Sequence, residues 1–573
     1  MDKILRCKQQ PINSDINIAG AYVWDKLNQL GDDFVCLIDA ATDQRLTVGE
    51  LKILANSIAW SLVNIRGVTK ADRIAFCGPN TMANAVLRFV VQFIGVTFVP
   101  LVHVLETYEI TEQSLEAGIT VIMTTSDHLY KFDNIINSDS NNRIKLVVLF
   151  DNHQYSGSSS SGSGGSSNIS SSGSSSSSSS SDSNNYVTYD QLLDEGRGQQ
   201  LARIPHYDVD PDTDRLLYIY TSGSTGRPKC ALIPHSMFVR TAQEPGRYPT
   251  FADTVTVMAF PFPLGHMAGS MFLLIQITKG FRLILFDKLD EKMLFAATEK
   301  YQINVWPVLG SFGHRLVNSD AVGNYDLSSI RWACVGGAPL ASHIGHQLIR
   351  IFGLKIKESY ASTEQSYITQ GCNDDDDYEP GNLGTVVPGC ELKVVDMETG
   401  ELLGANCNGE IFVKSIKLFA GFLNNYQQYR QSFDADGWYT TGDMGYYDDR
   451  ERVFLTGRVK FVIKVGVNRD FLKIDPIIVE EFLLSHPSIA EVAVVGVGVK
   501  DTAGFHYLRA YVVRKPGQKN ITADDIQQFV SNTMASSKHL RAGVVFVDEI
   551  HRTVVGKVDR QYYRKLVSHE IVE

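Results

Sequence analysis

The strongest constraint on the fold is an alternation. Short apolar runs at residues 73–77, 96–101, 120–124 and 145–150 are separated by stretches with helical spacing, such as residues 83–93. Two parallel strands need a crossover, and a helix supplies it, so this pattern predicts parallel sheets covered by helices. It resumes at residues 255–260, 282–286, 304–308 and 330–335. After about Arg458 the elements shorten: residues 491–499, 507–514 and 544–547 read as strands, residues 523–534 as an amphipathic helix, and a last helix starts at Asp559. The chain of 573 residues is too long for one core. The expectation is an α/β protein with a large N-terminal body of parallel and mixed sheets over residues 1–457 and a smaller C-terminal α+β domain over residues 458–573.

Residues 156–185 are almost entirely Ser, Gly and Asn. That composition cannot bury enough apolar surface to offset chain entropy, so a disordered insertion in a surface loop is expected there. Closing a longer loop costs only logarithmically more, which makes such an insert tolerable.

Composition excludes several function classes. With 53 Lys and Arg against 64 Asp and Glu, the net charge is −11, which argues against a nucleic-acid binder that works by neutralising phosphates. The eight cysteines form no CxxC pair and no compact framework, so neither a zinc site nor a secreted disulfide scaffold is expected. The longest apolar stretch, residues 86–105, is interrupted by Arg88, Gln92, Pro100 and His103 and makes a poor membrane span. The opening MDKILRCKQQ lacks the apolar centre of a signal peptide, and Ile571-Val572-Glu573 is not a peroxisomal address, so a cytoplasmic location is expected.

The most informative segment runs Tyr218-Ile219-Tyr220-Thr221-Ser222-Gly223-Ser224-Thr225-Gly226-Arg227-Pro228-Lys229. It places hydroxyls, glycines and a cation directly after an apolar strand, a combination suited to an anion: glycines let the backbone approach, hydroxyls donate, and Lys supplies charge. A P-loop is excluded by spacing, because Arg227 and Pro228 separate Gly226 from Lys229. A flexible Ser/Gly turn is the plain alternative for this segment alone.

Other stretches carry equally local readings. Gly336-Gly337-Ala338-Pro339-Leu340 follows an apolar strand, and by itself is a strand-to-helix turn. Glu364, in Ser359-Tyr360-Ala361-Ser362-Thr363-Glu364, would alone be a solvated carboxylate. Asp443, in Gly437-Trp438-Tyr439-Thr440-Thr441-Gly442-Asp443, would alone be a turn residue. Lys557, in Gly556-Lys557-Val558-Asp559-Arg560, would alone be a surface charge.

Taken together, these segments resemble the AMP-forming acyl-CoA synthetases, a family that includes peptide-synthetase adenylation domains and beetle luciferases. Outside the Ser-rich insert the resemblance covers nearly the whole chain, and it is nearest to 4-coumarate-CoA ligase-like members. It implies that Thr221, Ser222, Gly223, Ser224, Thr225, Gly226 and Lys229 handle the β- and γ-phosphates of ATP. Cys230 stands where the family usually has Gly. The resemblance further implies that Gly336, Gly337, Ala338 and Pro339 form the adenine turn and that Tyr360 packs on adenine. Thr363 would contact the α-phosphate, Glu364 would hold Mg2+, and Asp443 would accept from both ribose hydroxyls. Arg458 would touch the ribose and Lys460 would be the hinge that makes the small domain mobile. Lys557 would bridge the substrate carboxylate and the α-phosphate, while His266 would gate the carboxylate pocket, although a packed core histidine reads nearly as well.

One departure stands out. The family's Ile-Lys-x-x-Gly followed by Pro-x-Glu becomes Ile463-Lys464-Val465-Gly466, with Pro476 displaced and Ile478 in place of Glu. Lys464 belongs to the segment that serves thioester formation in the family. The implied reaction converts a small carboxylic acid to acyl-AMP and transfers it to CoA. A stand-alone adenylating enzyme with another acceptor, or a non-catalytic nucleotide or acyl binder, are the competing readings.

Overall fold

The computed structural model describes the chain except residues 1–2, 10, 12–14, 138–142, 152–185, 222–227, 245–253, 309, 338–339, 372–377, 468–469, 501–504, 519, 554–556 and 573. The expected Ser-rich insertion therefore lies outside the described residues.

Among the described residues the chain forms four sheets. In the first, six strands run parallel, from Arg215–Thr221 through Thr97–Leu101, Arg73–Cys77, Val121–Thr124 and Leu146–Leu149 to Tyr186–Thr188, and Lys229–Pro234 closes one edge antiparallel. In the second, Val35–Asp39, Arg282–Leu285, Val257–Phe260, Val305–Val308, Trp332–Val335 and Lys355–Ser362 are parallel, with antiparallel strands at both ends.

Side-chain alternation explains the layering. Ile74 and Phe76 face a core shared by both sheets, while Ala75 and Cys77 face a separate outer core. In the second sheet Met258 and Phe260 join the shared core, and Val257 and Ala259 join a third one. Both faces of both sheets are thus covered, as the near-continuous apolar strands require. The helix between them, Met82–Ile94, is buried at all thirteen positions. This is the apolar stretch that begins near residue 86: a sandwiched helix followed by the buried strand Thr97–Leu101, not a span. Among the described residues no helix is long and apolar enough to cross a membrane. Arg88 is buried inside this helix, donates to Asn84 Oδ1 at 3.1 Å and stacks over Phe76 at 4.2 Å; burial pulls its pKa down to about 9.

The third sheet, which the sequence pattern did not announce, is antiparallel: Ile4–Arg6, Cys390–Val395, Gly409–Ser415, Tyr439–Tyr447 and Val453–Arg458, in that order. Its core takes in Tyr360 from the second sheet. The fourth belongs to the small domain and alternates in the same way, Val492 and Val494 facing one core and Ala493, Val495 and Val497 the other. The five elements expected here fall within two residues of Ile489–Val499, His506–Arg514, Val544–Phe546, Ala523–Thr533 and Arg560–Leu566, while strands Ile463–Val467 and Asp470–Ile474 and helix Pro476–Leu484 were not anticipated. Asp559 caps the last helix by accepting from Gln561 and Tyr562 N–H.

Candidate active site

The site is built where the second and third sheets meet the small domain. Asp443 and Arg458 sit directly opposite each other on strands Tyr439–Tyr447 and Val453–Arg458. Arg458 Nε lies 2.5 Å from Asp443 Oδ1, and the Tyr360 hydroxyl donates to Oδ2 at 2.5 Å. The Asp443 N–H is taken up by Thr441 Oγ1 at 3.0 Å. The carboxylate is thereby fixed by groups from two other segments and is only 4% exposed. Burial raises its pKa; Arg458, Tyr360, Lys557 and Lys460 pull against that shift. For Arg458, burial opposes the charge, but Asp443, Tyr360, Glu364 and Tyr439 outweigh it and the pKa stays above its ordinary value.

Glu364 follows on the same chain segment as Tyr360. Burial raises its pKa, Arg458 and the Ser362 hydroxyl oppose the shift, and Asp443 adds to it. A carboxylate whose charge is disfavoured mainly by desolvation is a fitting ligand for a hard cation, which would offset that cost. Thr363, beside it, is half-buried.

Thr221 and Lys229 lie opposite each other on antiparallel strands, with Thr221 Oγ1 donating to Lys229 O at 3.4 Å. The Lys229 ammonium lies 5.5 Å over the Phe422 ring; burial lowers its pKa and Glu364 opposes the change. Ser222, Gly223, Ser224, Thr225 and Gly226, between them, lie outside the described residues, as do Ala338 and Pro339. Gly336 follows strand Trp332–Val335 with the Ser359 hydroxyl nearby, and Gly337 adopts φ +79, a backbone conformation that glycine takes without strain.

The small domain adds Lys557. Arg552 and Val558 bridge, and Thr553 N–H donates to Lys557 O at 2.7 Å, so the lysine leaves a closed loop. Its side chain keeps contact with solvent, yet the walls around it desolvate the ammonium enough to lower its pKa. Arg458 lowers it further and Asp443 opposes. His266 is within reach of the same charge. Burial pushes its pKa down to about 4, and Lys557 adds to that. His266 caps helix Met267–Thr278, with Nδ1 accepting from Ala268 N–H at 3.3 Å, which suits a neutral ring.

Lys557, His266, Asp443, Arg458, Tyr360, Glu364 and Lys229 therefore form one electrostatically connected group, drawn from residues 300 positions apart and more. Lys464 is not brought into it: it stands exposed on strand Ile463–Val467, across from Lys473.

Sequence reasoning missed Tyr439, which is buried beside Glu364, Arg458 and Asp443. It also missed Asp475. This residue caps helix Pro476–Leu484 by accepting from Ile477 N–H at 2.8 Å, and its second oxygen presses on Gly457, where a Cβ would fall 1.0 Å away. An Asp directly before a Pro is a helix-start signal that would have found the cap, though not its contact with the neighbouring lobe.

The arrangement combines a buried aspartate with two oxygens held in place, a half-buried carboxylate within electrostatic reach of a lysine, and a second lysine delivered from another domain. That is the equipment of an enzyme that activates an acid on a nucleotide. The chain belongs to the AMP-binding enzyme family, whose model matches residues 24–423, with the AMP-binding enzyme C-terminal domain matching residues 478–557. It is 27% identical over 565 residues to 4-coumarate-CoA ligase 1 of Narcissus pseudonarcissus, covering 96% of this chain and 94% of that one. It is 33% identical over 366 residues to luciferin 4-monooxygenase of Photinus pyralis, covering 62% of this chain and 64% of the other. An ATP-bound structure of MatB from Rhodopseudomonas palustris has the same fold, with a TM-score of 0.78, 23% identity and coverage of 96% and 99%.

Proposed function

We propose that the protein activates a carboxylic acid with ATP and transfers the acyl group to CoA. In the first step the acid's oxygen attacks the α-phosphorus, and pyrophosphate leaves. In the second, the CoA thiol attacks the acyl carbon and AMP leaves. The mixed anhydride is the purpose of the first step, because a free carboxylate is a poor acyl donor at neutral pH.

The observation that carries the reading is the convergence of Lys557, from the tail of the chain, on Asp443 and His266 of the large body. In this role Lys557 stabilises the charge that builds at phosphorus as the acid attacks. Asp443 accepts the ribose hydroxyls with the two oxygens that Arg458 and Tyr360 now orient. Tyr360 lines the adenine side together with Gly336, Gly337, Ala338 and Pro339. Thr363 reaches the α-phosphate. Thr221, Ser222, Gly223, Ser224, Thr225, Gly226 and Lys229 serve the leaving pyrophosphate, and Glu364 would hold Mg2+, which supplies charge neutralisation. His266, kept neutral, borders the acid pocket without repelling a cation beside it. Lys464 acts after the small domain has turned, for which Lys460 and its neighbours form the hinge, with the division between domains near residues 457–458.

The test is a panel of carboxylic acids assayed for AMP formation with and without CoA. AMP formation that one acid triggers and CoA accelerates supports the proposal. Pyrophosphate release that CoA never affects supports the second reading, a different acceptor, which the altered stretch after Lys464 favours. ATP binding without pyrophosphate release from any acid would leave only a binder.

A further inference from the structure

The third sheet has Asp443 and Arg458 near one edge and the first strand of the chain, Ile4–Arg6, at the other. Ile4, Leu5 and Arg6 lie opposite Lys393, Leu392 and Glu391. Continuing that antiparallel register by one residue sets Cys7 opposite Cys390. Directly opposed residues project to the same face, and their Cα atoms lie about 4.5 or 5.5 Å apart, inside the range that a disulfide spans.

Two further observations place the two residues in one neighbourhood. Cys7 is near enough for its charge to act on the Cys390 thiol, whose pKa burial pushes up to about 12; Ser415 opposes that shift and Cys7 adds to it. Lys417, 1% exposed, lies within electrostatic range of Cys7 as well. Lys417 is anchored by the Glu244 carboxylate and by Tyr367 O at 2.7 Å. Cys390 leans the same way, its Sγ lying 3.2 Å from Ser415 Oγ and 3.6 Å from Tyr367 O. Both residues are free thiols, Cys7 half-buried and reachable, Cys390 buried behind it.

We propose that Cys7 and Cys390 are a cross-strand thiol pair that closes to a disulfide when a hydroperoxide oxidises it. The accessible Cys7 sulfur attacks the peroxide: an S–O bond forms, the O–O bond breaks, and the leaving oxide departs with the thiol's proton as water or alcohol. The Cys390 sulfur then attacks the sulfenic acid: an S–S bond forms, the S–O bond breaks, and hydroxide leaves as water with the Cys390 proton. Two thiols lose two electrons and the peroxide gains them. The bond staples a three-residue edge strand onto the core that Leu5, Cys390 and Tyr360 share. Because Tyr367 O receives both Lys417 and Cys390, the staple acts on the segment that also carries Tyr360 and Glu364.

The experiment treats the full chain with hydrogen peroxide, blocks remaining thiols under denaturing conditions and maps peptides without reduction. The expected result is a linked pair containing Cys7 and Cys390, coordinate loss of both alkylated forms, and full recovery with a dithiol reductant. In Cys390→Ser, Cys7 should stop at sulfenic acid and be trapped by dimedone. The proposal is overturned if Cys7 links to another cysteine, such as the exposed Cys407, or if it is over-oxidised while Cys390 stays a thiol. The wild-type map decides alone if the variant does not fold.

Discussion

The two halves of the site are held in different ways. Asp443, Arg458 and Tyr360 come from adjoining strands of the large body and already satisfy one another. Lys557 sits on a loop of the small domain and meets that group only through the relative position of the two lobes. A preassembled half binds without reorganisation, whereas a half delivered by domain placement can be withdrawn, freeing the site for a second step. The contrast predicts that damage to the two halves differs in kind.

Lys557→Ala should give the largest effect. The first step is expected to slow by about 10²- to 10³-fold, the usual cost of one group that stabilises transition-state charge. Thioester formation from supplied acyl-AMP should change little, and equal loss in both steps would break the distinction. Asp443→Asn comes next. It leaves Arg458 without its carboxylate and keeps only one acceptor oxygen where Arg458 and the Tyr360 hydroxyl now each have their own. The KM for ATP should rise roughly tenfold. Stability should fall by about 1–2 kcal/mol, held to the lower range because Arg458 is 44% exposed. Titration calorimetry and thermal melts separate the two consequences; a change in rate alone, with unaltered ATP binding, would refute the binding role.

Much of the site was legible in the sequence because its residues lie in short contiguous segments, each with its own local chemistry. Thr221 and Lys229 stand out within their own segment, whereas Glu364, Asp443 and Lys557 read alone as surface or turn residues and were singled out only because the segments together resemble one family. The large sheets were legible because strands buried on both faces are runs of apolar residues, and the ends of those runs fall within two residues of the observed strands. The third sheet was hidden because its strands alternate, as in Cys390–Val395, and because its first strand is only three residues long and almost 400 positions from its partner. Tyr439 and Asp475 were hidden for another reason. Their roles come from what they touch across sheets and lobes, and no local pattern encodes that.

A smaller effect probes the junction of the halves directly. The His266 pKa lies at about 4 in the folded protein, against 6.5 when unperturbed, with burial first and the Lys557 charge second among the causes. The folded state thus binds fewer protons than the unfolded state between pH 6.5 and 4, so stability is full above that window and falls as pH drops through it. In Lys557→Met the His266 pKa, followed by ring-proton resonances, should rise by a few tenths of a unit. No movement would mean that the two lobes do not approach in solution as they do here.

The smallest effect concerns Asp475, which touches the hinge without joining the chemistry. Burial raises its pKa from 3.8 to about 6, with Glu480 adding to the shift and Ile477 N–H, Arg560 and the Arg458 N–H opposing it. The native carboxyl therefore holds a proton that the unfolded one has released across pH 3.8 to 6. Its contribution is complete below 3.8 and is lost as pH climbs through 6, so at pH 7 the ionised group is a burden on the fold. Its second oxygen makes no well-formed hydrogen bond among the described residues, with the Arg458 N–H only close enough to oppose part of the shift. Serine preserves a helix cap while removing the charge. Asp475→Ser should accordingly raise stability at pH 7.5 by about 1 kcal/mol and leave it unchanged or slightly lower at pH 4. Thermal melts across that range provide the check. If both proteins lose stability in parallel from pH 4 to 7.5, the carboxylate is not what strains the hinge. If the gain appears and the second half-reaction slows while the first does not, Asp475 is part of what lets the small domain leave.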